Sequence, residues 1–209
     1  YSTKTLFKNE LPINKNDKIL VVLSNCNNYT SYHNTGTFSS KRSLVYFNLI
    51  KKICKISLNK KNIFFRLPPN DKISFNFEKK INDIFGKLNF EKGKKNFIKS
   101  CNDYELILHT KDSTGFLETL TLNKPSMIIL DHQIYKKNFR KSAEEYYKNL
   151  EKVNIVFSSF EKFYKFISKE DFNTFVWWND KKTQKARNSF CNKFCKKTKH
   201  PFNAISAII

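Results

Sequence analysis

Short apolar runs alternate along this chain with longer segments in which apolar residues recur every three or four positions. The runs are rich in β-branched and aromatic residues, a pattern typical of strands buried on both faces of a parallel sheet. Residues 87–90 form a weaker run of the same kind. The clear runs predict strands at 18–23, 62–67, 104–109, 126–130 and 153–157.

The segments between the runs have helical spacing, and polar turns separate them from the strands. They predict helices over 44–53, 73–85, 94–101, 116–122 and 136–151, followed by consecutive helices from 159 to 197. Strands that alternate with helices through short loops form a mostly parallel, doubly wound sheet with right-handed connections. The predicted fold class is therefore α/β and Rossmann-like, with five or six strands and helices on both faces.

Ligands of such sheets bind at the carboxyl ends of the strands, near the point where the strand order reverses. We therefore expect the chemistry in the loops after Leu23, Leu67, His109, Leu130 and Phe157.

The pattern of apolar and polar residues divides the chain into three parts. Residues 18–158 are predicted to be the Rossmann-like nucleotide-binding domain, and residues 159–209 a helical C-terminal extension. Residues 1–17 are polar and irregular, as expected of a linker or of a strand from a missing N-terminal domain. The chain starts at Tyr1 and holds one sheet's worth of strands, so we expect a fragment. An exposed apolar surface is expected where the missing domain docks.

The amino-acid composition limits which binding sites and structural features the chain can contain. The chain has only 4 Gly, and neither a G-x-G-x-x-G nor a Walker motif occurs. The 5 Cys are odd in number and irregularly spaced, which indicates a reducing cytoplasm rather than a disulfide framework. Cys191, Cys195 and His200 lack a nearby fourth zinc ligand, and no Asp-x-Asp occurs, so no metal is expected. No apolar run approaches the roughly 20 residues of a membrane span.

The charge balance is strongly basic, with 39 Lys and Arg against 18 Asp and Glu, a formal net charge of +21. One interpretation is an anionic partner, namely nucleic acid, anionic lipid or a phosphorylated substrate. The other is codon drift in an AT-rich genome, since the lysines are spread along the chain. This diffuse charge argues against a specific nucleic-acid partner. It would suit peripheral contact with the anionic inner face of the cell membrane.

The segment from His109 to Leu120 combines a strand end, a hydroxyl-rich turn and a helix start. Helix N-termini present unpaired N–H groups that bind phosphate oxygens. Ser113 and Thr114 add hydroxyl donors, Gly115 allows close approach to the backbone, and Glu118 is placed for ribose hydroxyls. The alternative is ordinary helix capping by the hydroxyl residues, with Glu118 complementing the helix dipole.

Other candidates end strands or lie in the loops after them. Arg66 ends its strand and offers a guanidinium to phosphate, or it pairs with Asp71. Asp131 is placed to contact the sugar of the donor. His109 and His33 are weak candidates for acid/base catalysis, and the catalytic residue is otherwise unknown.

The block Asp103–Asp131, with "STGFLETLTLNKPSMIILD" at 113–131, resembles the C-terminal nucleotide-binding half of GT-B transferases. It is most similar to a bacterial family of surface-polysaccharide transferases first labelled from a Leptospira protein. More distantly it resembles the CDP-glycerol glycerophosphotransferases, in which a Ser-Ser helix start, an acidic residue and a Lys-Pro turn follow one another. The segments "KKNIFFRLPPND" at 60–71, "RKSAEEYYKNLEKVNIVFSS" at 140–159 and "WWNDKKTQKARNSFCNKFCK" at 177–196 extend the first resemblance.

The resemblance implies a cytoplasmic, metal-independent glycosyltransferase of surface polysaccharide biosynthesis. Its substrates would be a nucleotide-sugar donor and a glycan or lipid-linked acceptor, with no cofactor. One alternative is a glycerophosphotransferase that uses a CDP-linked donor. Another is a non-enzymatic basic α/β module that binds RNA or an anionic membrane.

Overall fold

A computed structural model describes residues 17–24, 40–59, 62–68, 76–91, 96–130 and 140–195. Six strands and eight helices lie within these ranges. The strands are β1 (Ile19–Val22), β2 (Ile63–Arg66), β3 (Asn89–Glu91), β4 (Leu106–His109), β5 (Ser126–Ile129) and β6 (Val156–Phe157). The helices are α1 (Ser40–Asn59), α2 (Phe77–Phe85), α3 (Phe97–Cys101), α4 (Thr114–Thr121), α5 (Lys141–Lys152), α6 (Phe160–Ile167), α7 (Thr174–Asn179) and α8 (Lys181–Phe194).

The six strands form one all-parallel sheet with the order β3-β2-β1-β4-β5-β6. The chain winds outwards from β1 in one direction and then from β4 in the other, so the strand order reverses between these two strands. Val22 is in register with both Arg66 and His109. The α/β, Rossmann-like prediction is confirmed, and the end of β1 marks the reversal point.

Several helix starts are set by capping residues that the periodicity alone does not resolve. Helix α2 begins at Phe77 because Asn76, at φ 54°, accepts a hydrogen bond from the backbone N–H of Lys79. Strand β6 is shorter than the predicted 153–157. Val153 caps α5, and Asn154 adopts a positive φ of 59° that turns the chain before the strand.

Both faces of the sheet are buried, as its continuous apolar strands require. Helices α1, α2 and α6 cover one face over a cluster that includes Val21, Phe65 and Leu108. Helices α4, α5, α7 and α8 cover the other over Phe116, Ile128 and their neighbours. Much of the chain's phenylalanine lies in these layers, where edge-to-face and tilted ring pairs recur.

The two tryptophans attach the terminal helices to the amino edge of the sheet. The indole N–H of Trp178 donates to the backbone and side-chain oxygens of Asn123, both at 3.0 Å. That of Trp177 donates to the Val153 carbonyl at 2.9 Å. The pair therefore anchors the terminal helices, while Phe175 and Val176 of the same helix are exposed.

Candidate active site

The carboxyl ends of β2, β1 and β4 bring the predicted site residues to one edge of the sheet. Arg66 and His109 flank Val22 in register, and residues paired in this way project from the same face. The turn from β4 into α4 carries Ser113, Thr114 and the residues after them. His33 and Asp131 lie outside the described residues.

The N-terminal turn of α4 leaves hydrogen-bond donors unused. Ser113 takes the N-cap position, but its side chain makes no capping bond, and its carbonyl accepts from the Phe116 amide at 3.0 Å. Within the described ranges, the backbone N–H groups of Thr114 and Gly115 have no partner. Simple side-chain capping therefore does not account for Ser113. The helix presents two open donors and its positive dipole end at the sheet edge.

The turn itself is held on both sides. The Thr110 hydroxyl donates to the Val22 carbonyl at 2.7 Å and lies 2.8 Å from the Tyr46 hydroxyl. On the other side, the Tyr147 hydroxyl donates to Asp112 at 2.5 Å. Burial raises the pKa of the Asp112 carboxyl, and the bond from Tyr147 opposes that shift. These contacts fix the open amides relative to β1 and α5.

Phe97 of α3 connects Arg66 to the start of α4. The Arg66 guanidinium lies over the Phe97 ring, 5.3 Å from its centroid. A Cβ atom at position 115 would come within 3.2 Å of the same ring. Glycine therefore serves close packing of α4 against α3 at this position, and the ring of Phe97 occupies the space beside it.

Arg66 is held by groups from two other elements. Its Nη1 donates to Glu91 Oε2 at 2.7 Å and to Ser100 Oγ at 3.2 Å. Its side chain and that of Glu91 are only 16% and 11% exposed, so water screens the pair weakly. The alternative partner Asp71 lies outside the described residues. Glu91 fixes the guanidinium at the carboxyl edge, within the same layer as the β4–α4 turn.

His109 lies beneath that turn, packed between Phe97 and Phe116. Its Nε2 is 3.1 Å from Thr119 Oγ1. Burial lowers the pKa of the imidazole to about 3, so the ring is neutral at physiological pH. A buried neutral imidazole is a poor proton donor and a poor base. In this geometry His109 is a hydrogen-bond partner of Thr119, and its role in acid/base catalysis stays a prediction.

Glu118 lies one turn into α4, and its carboxyl is half-buried. Desolvation raises its pKa. A carboxylate here is too far along the helix to cap the first amides, since capping groups act within the first turn. Its position leaves it able to accept hydrogen bonds from hydroxyl groups beside the open N-terminal end of α4.

Several of the residues that make these contacts could not be recognised from the sequence. Glu91, Phe97, Thr110 and Tyr147 come from four separate elements or loops, and no motif connects them to the turn. Asp112 is the exception, because it directly precedes the hydroxyl pair.

The described ranges contain no group of three or more His, Cys, Asp or Glu side chains arranged to hold a metal ion. Cys195 has its pKa lowered to about 7, chiefly by a hydrogen bond with the Cys191 thiol. His200 lies outside the described residues. None of the described helices combines the length and the apolar character needed to cross a membrane.

Comparison with models of protein families identifies a family that matches the chain. The model of a protein family described as "LIC12162 family transferase" matches residues 2–209. No curated protein and no solved structure matches the chain. The matched range includes the sheet, the β4–α4 turn and the terminal helices, so the similarity rests on the whole arrangement rather than on a single motif.

Proposed function

Because this chain belongs to the LIC12162 family of transferases, we propose that it binds the activated donor of a glycosyl transfer at the carboxyl edge of its sheet. The donor is a nucleotide-linked sugar, and the acceptor is a surface glycan or its lipid-linked precursor. The observation that carries this proposal is the open N-terminal end of α4. It lies next to the reversal point of the sheet, in the same layer as Arg66.

The donor phosphates are the leaving group, and the site suits an anion that gains charge. The amides of Thr114 and Gly115 donate to phosphate oxygens, and the hydroxyls of Ser113 and Thr114 add donors. Arg66 supplies a fixed positive charge to the developing oxyanion. Glu118 accepts hydrogen bonds from ribose hydroxyls, and Asp131 contacts the sugar.

The remaining parts of the proposal concern partners. In a GT-B arrangement, the acceptor and the catalytic base belong to an N-terminal domain that closes over the donor. The enzyme works in the cytoplasm at the inner face of the membrane, where a basic surface is attracted to anionic lipid. The net charge of +21 supports this placement.

Calorimetry with the full chain tests donor binding. Thr114→Ala is expected to weaken binding of UDP or CDP by about 1–3 kcal/mol, as for a hydrogen bond to a charged group. Thr121→Ala, at the opposite end of α4, is the matched control because its hydroxyl is bonded to the Leu117 carbonyl. Equal nucleotide affinity in both variants contradicts the proposal. Comparing UDP-sugars with CDP-glycerol separates glycosyl transfer from glycerophosphate transfer.

A further inference from the structure

The protonation state of His109 follows from its neighbours. Thr119 Oγ1 lies 3.0 Å from the Phe116 carbonyl and 3.1 Å from the imidazole Nε2, and its single proton satisfies both contacts only if it goes to the carbonyl and Nε2 donates to Oγ1. Nε2 therefore carries the ring proton, and Nδ1 is left with a lone pair. His109 is 1% exposed, and Nδ1 is the buried side-chain nitrogen or oxygen without a partner in the part of the chain that the structure describes.

The contacts of Nε2 and Cε1 define how the ring is oriented beside α4. Nε2 faces Thr119, and Cε1 lies 3.7 Å from the position that a Cβ of residue 115 would take, one turn nearer the helix start. The two nitrogens of an imidazole point in nearly opposite directions. With Nε2 on Thr119 and Cε1 beside Gly115, Nδ1 lies on the far side of the ring from Thr119, nearer the start of α4 than Nε2 is.

A site with open N–H donors above and a buried acceptor below selects the protonation state of its ligand. A fully ionised oxyanion satisfies the amides but places its charge against the lone pair of Nδ1. An oxyanion that keeps one proton satisfies both. We propose that the α4 terminus and His109 form a subsite for a phosphate that carries a P–OH group, and that the subsite discriminates against sulfate.

This inference rests on the proposed function and specifies the state of the leaving group. On transfer, the acceptor hydroxyl forms the new bond to the sugar, and the bond between the sugar and the phosphate oxygen breaks. The hydroxyl loses its proton, and the phosphate oxygen retains the electron pair. If that proton ends on the phosphate, the released nucleotide has the P–OH that Nδ1 accepts, whereas the donor ester has none. The subsite therefore favours the state after cleavage.

Competition between inorganic phosphate and sulfate tests the subsite. At a pH below the second pKa of phosphate and at matched ionic strength, phosphate is expected to bind at least about tenfold more tightly than sulfate, a ratio in the range of one lost hydrogen bond in a buried site. Phosphate affinity should fall as the pH rises through that pKa, while sulfate affinity stays level. Equal affinities, a phosphate affinity that rises with pH, or no binding of either anion overturns the inference.

Thr119→Val is a nearly isosteric variant that gives an independent result. Without Oγ1, the ring is free to carry its proton on Nδ1 and donate to the anion. The affinity for sulfate should rise, and the preference for phosphate should shrink to less than about twofold. An equal loss for both anions indicates a structural role for Thr119 and contradicts the inference. The nitrogen chemical shifts of His109 in the unmodified protein report the tautomer directly, so a variant that fails to fold leaves a second decisive measurement. An Nδ1–H ring there also contradicts the inference.

The same titrations separate this inference from the proposed function. Nucleotides that bind and compete with phosphate, together with equal phosphate and sulfate affinities, overturn only the role of His109. If neither nucleotide nor anion binds, both fail.

Discussion

The two ends of helix α4 differ in how their polar groups are paired. At the C-terminal end, the backbone N–H of Lys124 donates to the Thr119 carbonyl, and Ser126 Oγ donates to the Lys124 carbonyl. Asn123 accepts from Trp178. At the N-terminal end, Ser113 makes no cap, and two amides lack partners within the described ranges.

Lys124 shows how closely the C-terminal end is packed. Its side chain is fully buried, and burial lowers its pKa against the opposing effects of Cys101, Glu105 and Asp103. The Lys-Pro turn that carried part of the resemblance therefore lies at the amino edge of the sheet, away from the open donors. Backbone N–H groups at a helix start need a partner outside the helix, which is why the proposed donor site lies at this end. The two ends of this one helix therefore differ: the C-terminal end is packed into the fold, and the N-terminal end is the proposed ligand site.

The largest expected effect is on the free energy of unfolding, and it concerns the C-terminal end of α4, where the polar groups are paired. Trp178→Ala removes a fully buried indole and its hydrogen bonds to Asn123. We expect it to lower the free energy of unfolding by about 3–5 kcal/mol. Phe175→Ala, on an exposed face of the same helix, should change it by less than about 0.5 kcal/mol. Chemical denaturation measures both, and equal losses would contradict the anchoring role.

The next largest effect is a pH dependence of the stability, which originates at His109 beneath the N-terminal end of α4. His109 has a pKa of about 3 in the folded state and 6.5 as its ordinary value. Between these values the unfolded chain binds a proton that the folded state excludes, so stability decreases as the pH falls through this window. From pH 6.5 to 5, above most carboxyl titrations, the loss is about 1.6 kcal/mol. His109→Gln should flatten this slope, and an unchanged slope would mean that other groups cause it.

The sequence predicts the position of the site but not the contacts that hold it. Apolar runs located the strands because burial on both faces leaves a continuous pattern, and the Ser113–Gly115 turn follows one of them directly. The partner of Arg66 was not predictable, because Glu91 lies on a strand of three residues that pairs only through the tertiary fold. The same holds for Phe97, whose contact with Gly115 depends on how α3 packs against α4.

Arg66 and Glu91 should affect anion binding in opposite directions. Arg66→Ala is expected to weaken diphosphate binding by about 1–3 kcal/mol, since it removes a donor to a charged group. Glu91→Gln removes the carboxylate that neutralises the guanidinium and should strengthen pyrophosphate binding by about 1 kcal/mol, within the range for partly buried charges. Calorimetry checks both, and weaker binding in the Gln variant would show that Glu91 mainly positions Arg66.

The smallest expected effect separates the nucleoside from the phosphates. Glu118→Ala should weaken UDP or CDP binding by about 1 kcal/mol, the net contribution of a typical hydrogen bond. Pyrophosphate affinity should be unchanged, because a carboxylate repels an anion rather than binds it. If nucleotide affinity is also unchanged, Glu118 acts only on the helix dipole.

The central claim is that phosphates of the donor bind the open end of α4. Its most direct test is an NMR titration of the full chain with UDP and CDP, observing the backbone amides. The account predicts that the amide proton signals of Thr114 and Gly115 shift downfield more than those of other described residues, as their N–H groups gain an anionic acceptor. Unchanged signals at these two residues, with the largest shifts elsewhere in the chain, would contradict it.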